Sequence, residues 1–184
     1  MKKLLSILSL GLLVCSNLFA GNSADNVRNE VTAPCYGVES VNAVAHVQDG
    51  ECPLNVCNFT PYTKAQIIAK LGNKNINKQN GMWTCLTRGY LNIGKGGQIS
   101  YHGFIIEFNK NGRLKEVSFF IVEDSESATE SSIQDFINRM SLDSRFTLGS
   151  DALYQKNGRG KVNPVNCREQ EGKYVWGIAF KYLK

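Results

Sequence analysis

The tetrapeptide Asn109-Lys-Asn-Gly112 separates two apolar-rich runs, and no other feature constrains the fold of this chain as strongly. Asn-Gly tolerates the positive φ that a tight hairpin requires, so Ile99–Phe108 and Arg113–Val122 are predicted to pair as antiparallel strands. Upstream, Met82–Leu91 alternates Met82, Thr84, Leu86 and Arg88 against Trp83, Cys85 and Thr87, which predicts a third strand. Before it, Thr63–Gly72 reads as a short amphipathic helix. Thr63 is a usable N-cap, Ile67, Ile68 and Leu71 share one stripe, and Gly72 stops the helix at no steric cost.

Downstream, Glu123–Glu130 is acidic and Ser-rich, and Ser127 with Glu130 three residues on resembles a capping box. It introduces a second helix, Ser131–Met140, with Ile133, Phe136, Ile137 and Met140 at core spacing. Phe146–Tyr154 reads as a strand and Gln155–Lys161 as a turn. In the last run, Lys173–Tyr182, the residues Trp176, Ile178, Phe180 and Tyr182 share a face expected to be buried. Gly177 and Ala179 lie on the opposite face, where something approaches closely. The Gly-rich segment Asn92–Gln98 is followed by a strand rather than a helix, so it reads as a hairpin loop and not a phosphate cradle. Val38–Val47 fits neither helix nor strand period, with a strand over Glu39–Val47 as one reading. The fold class is α+β: an antiparallel sheet of about five strands with two helices packed on one face.

The N-terminus carries an export signal: Lys2 and Lys3, the apolar Leu4–Val14, and Leu18-Phe-Ala20 before Gly21. The apolar run is too short to span a bilayer, so no membrane anchor is expected in the mature chain. Val14 before Cys15 is larger than a lipid-attachment box accepts. Residues 1–20 are therefore read as a signal peptide, 21–34 as a flexible lead-in and 35–184 as an α+β domain. Losing Lys2 and Lys3 lowers the formal charge from +5 to +3. The remaining positive charges are scattered, with no stripe of Lys and Arg interleaved with aromatics, which argues against nucleic acid. The charge supports mild attraction to an anionic membrane or glycan at most.

Cys35, Cys52, Cys57, Cys85 and Cys167 remain after cleavage. In an oxidising compartment they are disulfide candidates. Cys52 with Cys57 would close a local loop, and Cys85 or Cys35 with Cys167 would close a long one; the sequence leaves the pairing open. A zinc site on Cys52, Cys57 and a histidine lacks a second paired cluster, so no metal or cofactor is expected.

Catalytic constellations are not evident. His46 and His102 are the two histidines, and a Cys85–His102 pair on neighbouring strands lacks an orienting Asn or Asp. No Gly-x-Ser-x-Gly elbow occurs. Glu107 and Glu116 flank the hairpin turn beside Arg113 and Lys115, facing solvent. No catalytic residue is assigned, and the chain is read as a non-enzyme. Arg88, Tyr90 and Tyr101 are the candidate binding surface on the free face of the sheet.

The helix Thr63–Gly72, the Trp-bearing Gly81-Met-Trp83 and the hairpin Phe104–Val117 resemble the small outer-membrane assembly lipoproteins (SmpA/OmlA, BamE-like), whose fold is shared with the β-lactamase-inhibitor proteins. The likeness covers about sixty residues. Departures are Asn73 where the family has proline after Leu-Gly, and the missing lipid-attachment cysteine. The part after Thr129 is open to reading as a second, degenerate helix-plus-strands unit, giving units at 60–125 and 127–184. The resemblance implies a non-catalytic envelope or secreted protein, periplasmic or secreted, that binds another such protein as an assembly factor or hydrolase inhibitor. Alternatives are a secreted enzyme or toxin-like subunit, and a carrier of a small apolar ligand.

Overall fold

The computed structural model describes residues 50–79, 81–94, 96–170 and 172–183. The expected signal peptide and lead-in, the candidate strand Glu39–Val47, Cys35 and His46 lie outside these residues.

Helix α1, Lys64–Leu71, forms where its caps dictate. The Thr63 hydroxyl accepts from the Gln66 amide at 3.3 Å, and the Gln66 side chain accepts from the Thr63 amide at 2.9 Å. This reciprocal box satisfies two amides that would otherwise be orphaned. Ile67 and Leu71 turn inward. Helix α2, Glu126–Ser141, starts five residues earlier than the sequence predicts. Its N-cap is Ser125, whose hydroxyl accepts from the Ala128 amide at 3.1 Å, and not Ser127. The physical reason is Thr129, buried one turn before Ile133, which extends the inward stripe.

The described residues form ten strands in chain order: β1 Asn77–Gln79, β2 Met82–Cys85, β3 Gly89–Ile93, β4 Gly97–Tyr101, β5 Gly103–Phe108, β6 Leu114–Glu123, β7 Phe146–Leu148, β8 Leu153–Gln155, β9 Gly160–Gln170 and β10 Lys173–Tyr182. Eight form one sheet in the order β1-β2-β5-β6-β10-β9-β8-β7, all neighbours antiparallel; β3 and β4 pair with each other. From each edge inward the plan is the same: a helix, then four consecutive sheet strands ending at the centre. The fold is α+β with an antiparallel sheet and two helices packed against it, and the sheet is wider than the five strands expected from sequence. The extra strands are β1, β9 and the split of Phe146–Tyr154 into a β7–β8 hairpin.

The runs Met82–Leu91 and Ile99–Phe108 are each broken in two. Their lower halves, β2 and β5, stay in the sheet, while β3 and β4 fold over α2. At the tip the backbone presses on that helix: a methyl group on Gly94 would lie 2.4 Å from the Arg139 carbonyl oxygen. Residues 50–52 continue this small layer, with Cys52 donating to the Tyr90 carbonyl at 2.9 Å.

The predicted hairpin turn is present. The Asn109 side-chain oxygen accepts from the Asn111 and Arg113 amides, both at 3.0 Å, and Gly112 takes φ 72°. On the helix side of the sheet, Phe104, Val117, Phe119, Trp176, Ile178 and Phe180 are all buried. Phe59 closes the far end of this core. Its backbone is left-handed at φ 48°, an outlier for a bulky residue. Its ring packs against Phe146, Phe180 and Tyr182 at 6.4, 6.1 and 5.2 Å between centroids. Burial of that ring holds the unfavourable backbone in place.

Gly160 is the seat of the Phe59 ring: a methyl group there would lie 2.1 Å from Phe59 Cε1. Gly160→Ala is expected to cost about 1–3 kcal/mol by overpacking, and Phe59→Ala about 3–5 kcal/mol by cavity formation, in urea titrations. A Gly160→Ala midpoint equal to that of the parent chain would show that the ring is not seated there.

Candidate functional site

The three residues predicted to form a binding surface separate. Arg88 and Tyr90 are half-buried beside the β3–β4 layer. Tyr101 is a core residue, 3 % exposed, with its ring 5.7 Å from Phe104 and 5.0 Å from Phe119. The break at His102 explains the correction. It puts two residues between Tyr101 and Phe104 while both side chains point inward, so strict alternation through the segment assigns Tyr101 to the wrong face.

The cysteines also depart from expectation. The described residues contain no disulfide, and Cys52, Cys57 and Cys85 are free, buried thiols. Cys57 Sγ lies 3.5 Å from the Asn92 carbonyl oxygen, and Cys85 Sγ 3.4 Å from the Thr87 hydroxyl. Burial pushes the Cys52 thiol up to about 11, opposed by the Leu54 backbone and the Tyr101 hydroxyl. Burial pushes Cys57 up to about 12, with Arg145 opposing. Burial raises Cys85 as well, against its bonds to Thr87. Raised thiols hold little thiolate and are poor nucleophiles. Cys35 and the Cys167 side chain lie outside the described residues. No group of three or more His, Cys, Asp or Glu among the described residues is placed to hold a metal ion.

Where β4 passes over α2 there is a cleft of about 290 Å³. Ile93, Ile99 and Ile121 line its apolar side, and His102, Glu123, Ser132 and Asp135 its polar side. The Ser132 hydroxyl donates to Glu123 Oε1 at 2.5 Å, and Asp135 pairs with Arg139 at 2.6 Å. His102 Nδ1 is buried and has no hydrogen-bond partner among the described residues. Burial lowers the His102 pKa, nearby Arg88 lowers it further, and Glu123 opposes both. Among the described residues no hydrogen bond joins His102 to Ser132 or to Cys85. The cleft therefore holds a neutral imidazole beside a committed serine–carboxylate pair, without the nucleophile–base contact that acyl transfer uses.

Two surfaces remain. The sheet face opposite the helices carries Met82, Phe120, Val122, Val165 and Val175, all half-buried, around the small Gly177 and Ala179. What approaches Gly177 closely is the chain itself: a methyl there would lie 2.6 Å from Val165 Cγ2. Charged pairs border this belt. Lys181 lies 3.7 Å from Glu116 and Lys161 2.9 Å from Asp151, and Glu107 pairs at 2.9 Å with Lys115, beside which it is expected.

The second surface is the α1–β1 edge, where Lys64, Lys70, Lys74 and Lys78 are all exposed. Lys64 and Lys78 both lie over the Trp83 indole, at 5.8 and 4.9 Å from its centroid. Lys70 lies over Tyr62 at 5.6 Å, and Lys78 also donates to Asn73 at 2.6 Å. Treating the positive charges as scattered missed this group. Its signal is the absence of any Asp or Glu from residues 52–106, a stretch with six Lys and Arg.

Comparison with protein-family models, with curated proteins and with solved structures found no match. No helix among the described residues is long and apolar enough to cross a membrane.

Two outcomes follow from these environments. Thiol-specific labelling at pH 8 should spare Cys52, Cys57 and Cys85 in the folded chain, and modify all three after denaturation without a reductant; protection that survives denaturation would restore a disulfide. For His102, the folded chain binds its proton less readily than the unfolded chain, whose value is about 6.5. Stability should therefore fall as pH drops below about 6.5, and level off once the depressed folded value is passed. Asp124 and Asp151, whose carboxyls are lowered mainly by hydrogen bonds to Lys173 and Tyr154 respectively, act in a separate window below 3.8. Urea midpoints at several pH values should lose the upper step in His102→Gln; an unchanged profile would refute the assignment.

Proposed function

We propose that the chain acts after export, in the periplasm or outside the cell, as a non-catalytic module that binds a folded partner protein through the outer face of its sheet. The observation that carries this reading is that face itself. Both helices pack on the other side, and the half-buried Phe120, Val122, Val165 and Val175 form an apolar belt rimmed by ion pairs. An apolar centre with a charged rim is the anatomy of a protein interface.

Size supports the same reading. With strands about 4.8 Å apart, eight strands span roughly 34 Å, and their mean length of about six residues covers about 20 Å. That is on the order of 700 Å², close to the roughly 800 Å² a standard interface takes from each partner. The apolar leader at Leu4–Val14 supports export, and the likeness of Thr63–Val117 to the assembly lipoproteins supports a binding role.

The test is site-specific photo-crosslinking in intact cells followed by mass spectrometry. Crosslinkers at Phe120 and Val165 should capture one reproducible envelope or secreted protein, and a crosslinker at the exposed Ser131 of α2 should not. Phe120→Ser should cut capture from Val165 at least tenfold with the melting temperature held within a few degrees. No capture from either outer-face position, where a control assembly factor is captured, would sink the reading.

A further inference from the structure

The charge of this protein is segregated, and the segregation follows the fold. Among the described residues, six ion pairs join basic and acidic side chains, and all six lie within residues 107–184. In the stretch 52–106 there is no carboxylate to pair with. Lys64, Lys70, Lys74 and Lys78 are carried on α1, the 3-10 turn Asn73–Asn75 and the edge strand β1, three consecutive elements on one flank of the sheet.

This flank also holds its cations in place. Trp83 is buried, and its ring receives two ammonium groups rather than one. Lys64 lies in addition 4.9 Å from the centroid of Phe108, which packs edge-on against Trp83 at 4.8 Å. Aromatic faces attract cations, so the two rings offset the repulsion between Lys64 and Lys78 without neutralising either. The result is a concentrated patch of positive charge in which aromatic contacts partly order Lys64, Lys70 and Lys78 before any ligand arrives.

From this geometry we infer that the α1–β1 edge docks an acidic, extended segment of a partner protein. The inference rests on the protein-binding reading and adds the chemistry of the partner. Lys64 and Lys70 are about 9 Å apart along the helix axis and about 120° apart around it, so the segment follows the edge around the helix. Alternate residues of an extended segment repeat at about 6.6 Å, so six or so residues present several carboxylates to the array. A second copy docked through the same edge is disfavoured, because it would set lysine against lysine. A membrane surface lacks its anchor here: Ile67 and Leu71 of α1 face the core, and the large exposed apolar residues among those described, Leu142 and Leu183, lie elsewhere in the chain. Interfacial binding needs buried apolar area in addition to charge.

The experiment uses the full chain without its leader and a fluorescent ten-residue oligoglutamate, read by anisotropy. Binding should weaken at least tenfold between 25 and 300 mM salt. The four-site variant Lys64→Gln, Lys70→Gln, Lys74→Gln, Lys78→Gln should bind at least thirtyfold more weakly, and the corresponding four-site change to Arg should restore binding to within threefold. A control removes the same charge elsewhere, with Lys110→Gln, Arg113→Gln, Lys156→Gln and Arg159→Gln, and should stay within threefold of the parent. Equal losses in the two Gln variants would show diffuse charge and overturn the inference. So would lysine-dependent binding to phosphatidylglycerol vesicles with no binding to oligoglutamate, which makes the flank a membrane surface. Failure of outer-face crosslinking in the parent chain would sink the binding-module reading, whereas equal losses in the Gln variants sink only this edge.

Discussion

The pairing of β6 with β10 is the constraint on which the rest of the structure depends. Eight register pairs run from Tyr174 opposite Glu123 to Lys181 opposite Glu116. This ladder alone joins the first four strands of the sheet to the last four. Its helix-side pairs, Ile121 with Trp176, Phe119 with Ile178 and Val117 with Phe180, are all buried, and adjacent strands cover them on both sides. Cross-strand apolar pairs of this kind stabilise a sheet by about 0.2–1 kcal/mol each before burial is counted. Phe136 of α2 reaches the same face through Trp176, at 6.3 Å between ring centroids. A one-residue slip in this ladder would turn every one of these side chains to the wrong side.

The same register sets the outer face. Because Phe119, Ile178 and Phe180 point inward, Phe120, Gly177 and Ala179 must point outward. Small residues at the centre let Val165 of β9 lean across Gly177, which fills the middle of the face with apolar side chain. The ion pairs sit where strands approach their ends, as at Lys181 and Glu116. The shape of this surface is thus a consequence of core packing.

Much of this was legible in the sequence where the deciding interaction is local. The Thr63 cap, the Gly72 stop, the Asn109–Gly112 turn, the α2 stripe and the alternation of β10 all depend on residues within a few positions of each other. Long-range effects were not legible. β9 carries Asn163 and Pro164 and lacks a clean alternation, and becomes a strand because β10 and β8 flank it. Tyr101 was misassigned because the His102 break shifts alternation by one, and only the core aromatics Phe104 and Phe119 reveal that shift. Disulfides are expected from an assumed compartment, whereas the fold brings no two of Cys52, Cys57 and Cys85 to bonding distance. For the candidate surfaces, the belt needed strand register, but the lysine flank needed only a count of carboxylates along 52–106.

The lysine flank and the central ladder sit at opposite ends of an energetic scale, and that separation bears on what each can evolve to do. Exposed charges at an edge contribute about 0–1 kcal/mol apiece to stability. The cation–π contacts to Trp83 lie in the same range. Residues such as Phe119 and Phe180 sit where a truncation costs about 3–5 kcal/mol, so they are free to change only together. A surface far from the seam can therefore be retuned for a new partner one lysine at a time without loosening the fold. The outer belt has no such freedom, because Val165 and Gly177 serve the packing and the surface at once. Partner choice is cheaper to alter at the flank, while the belt supplies area that any partner would share.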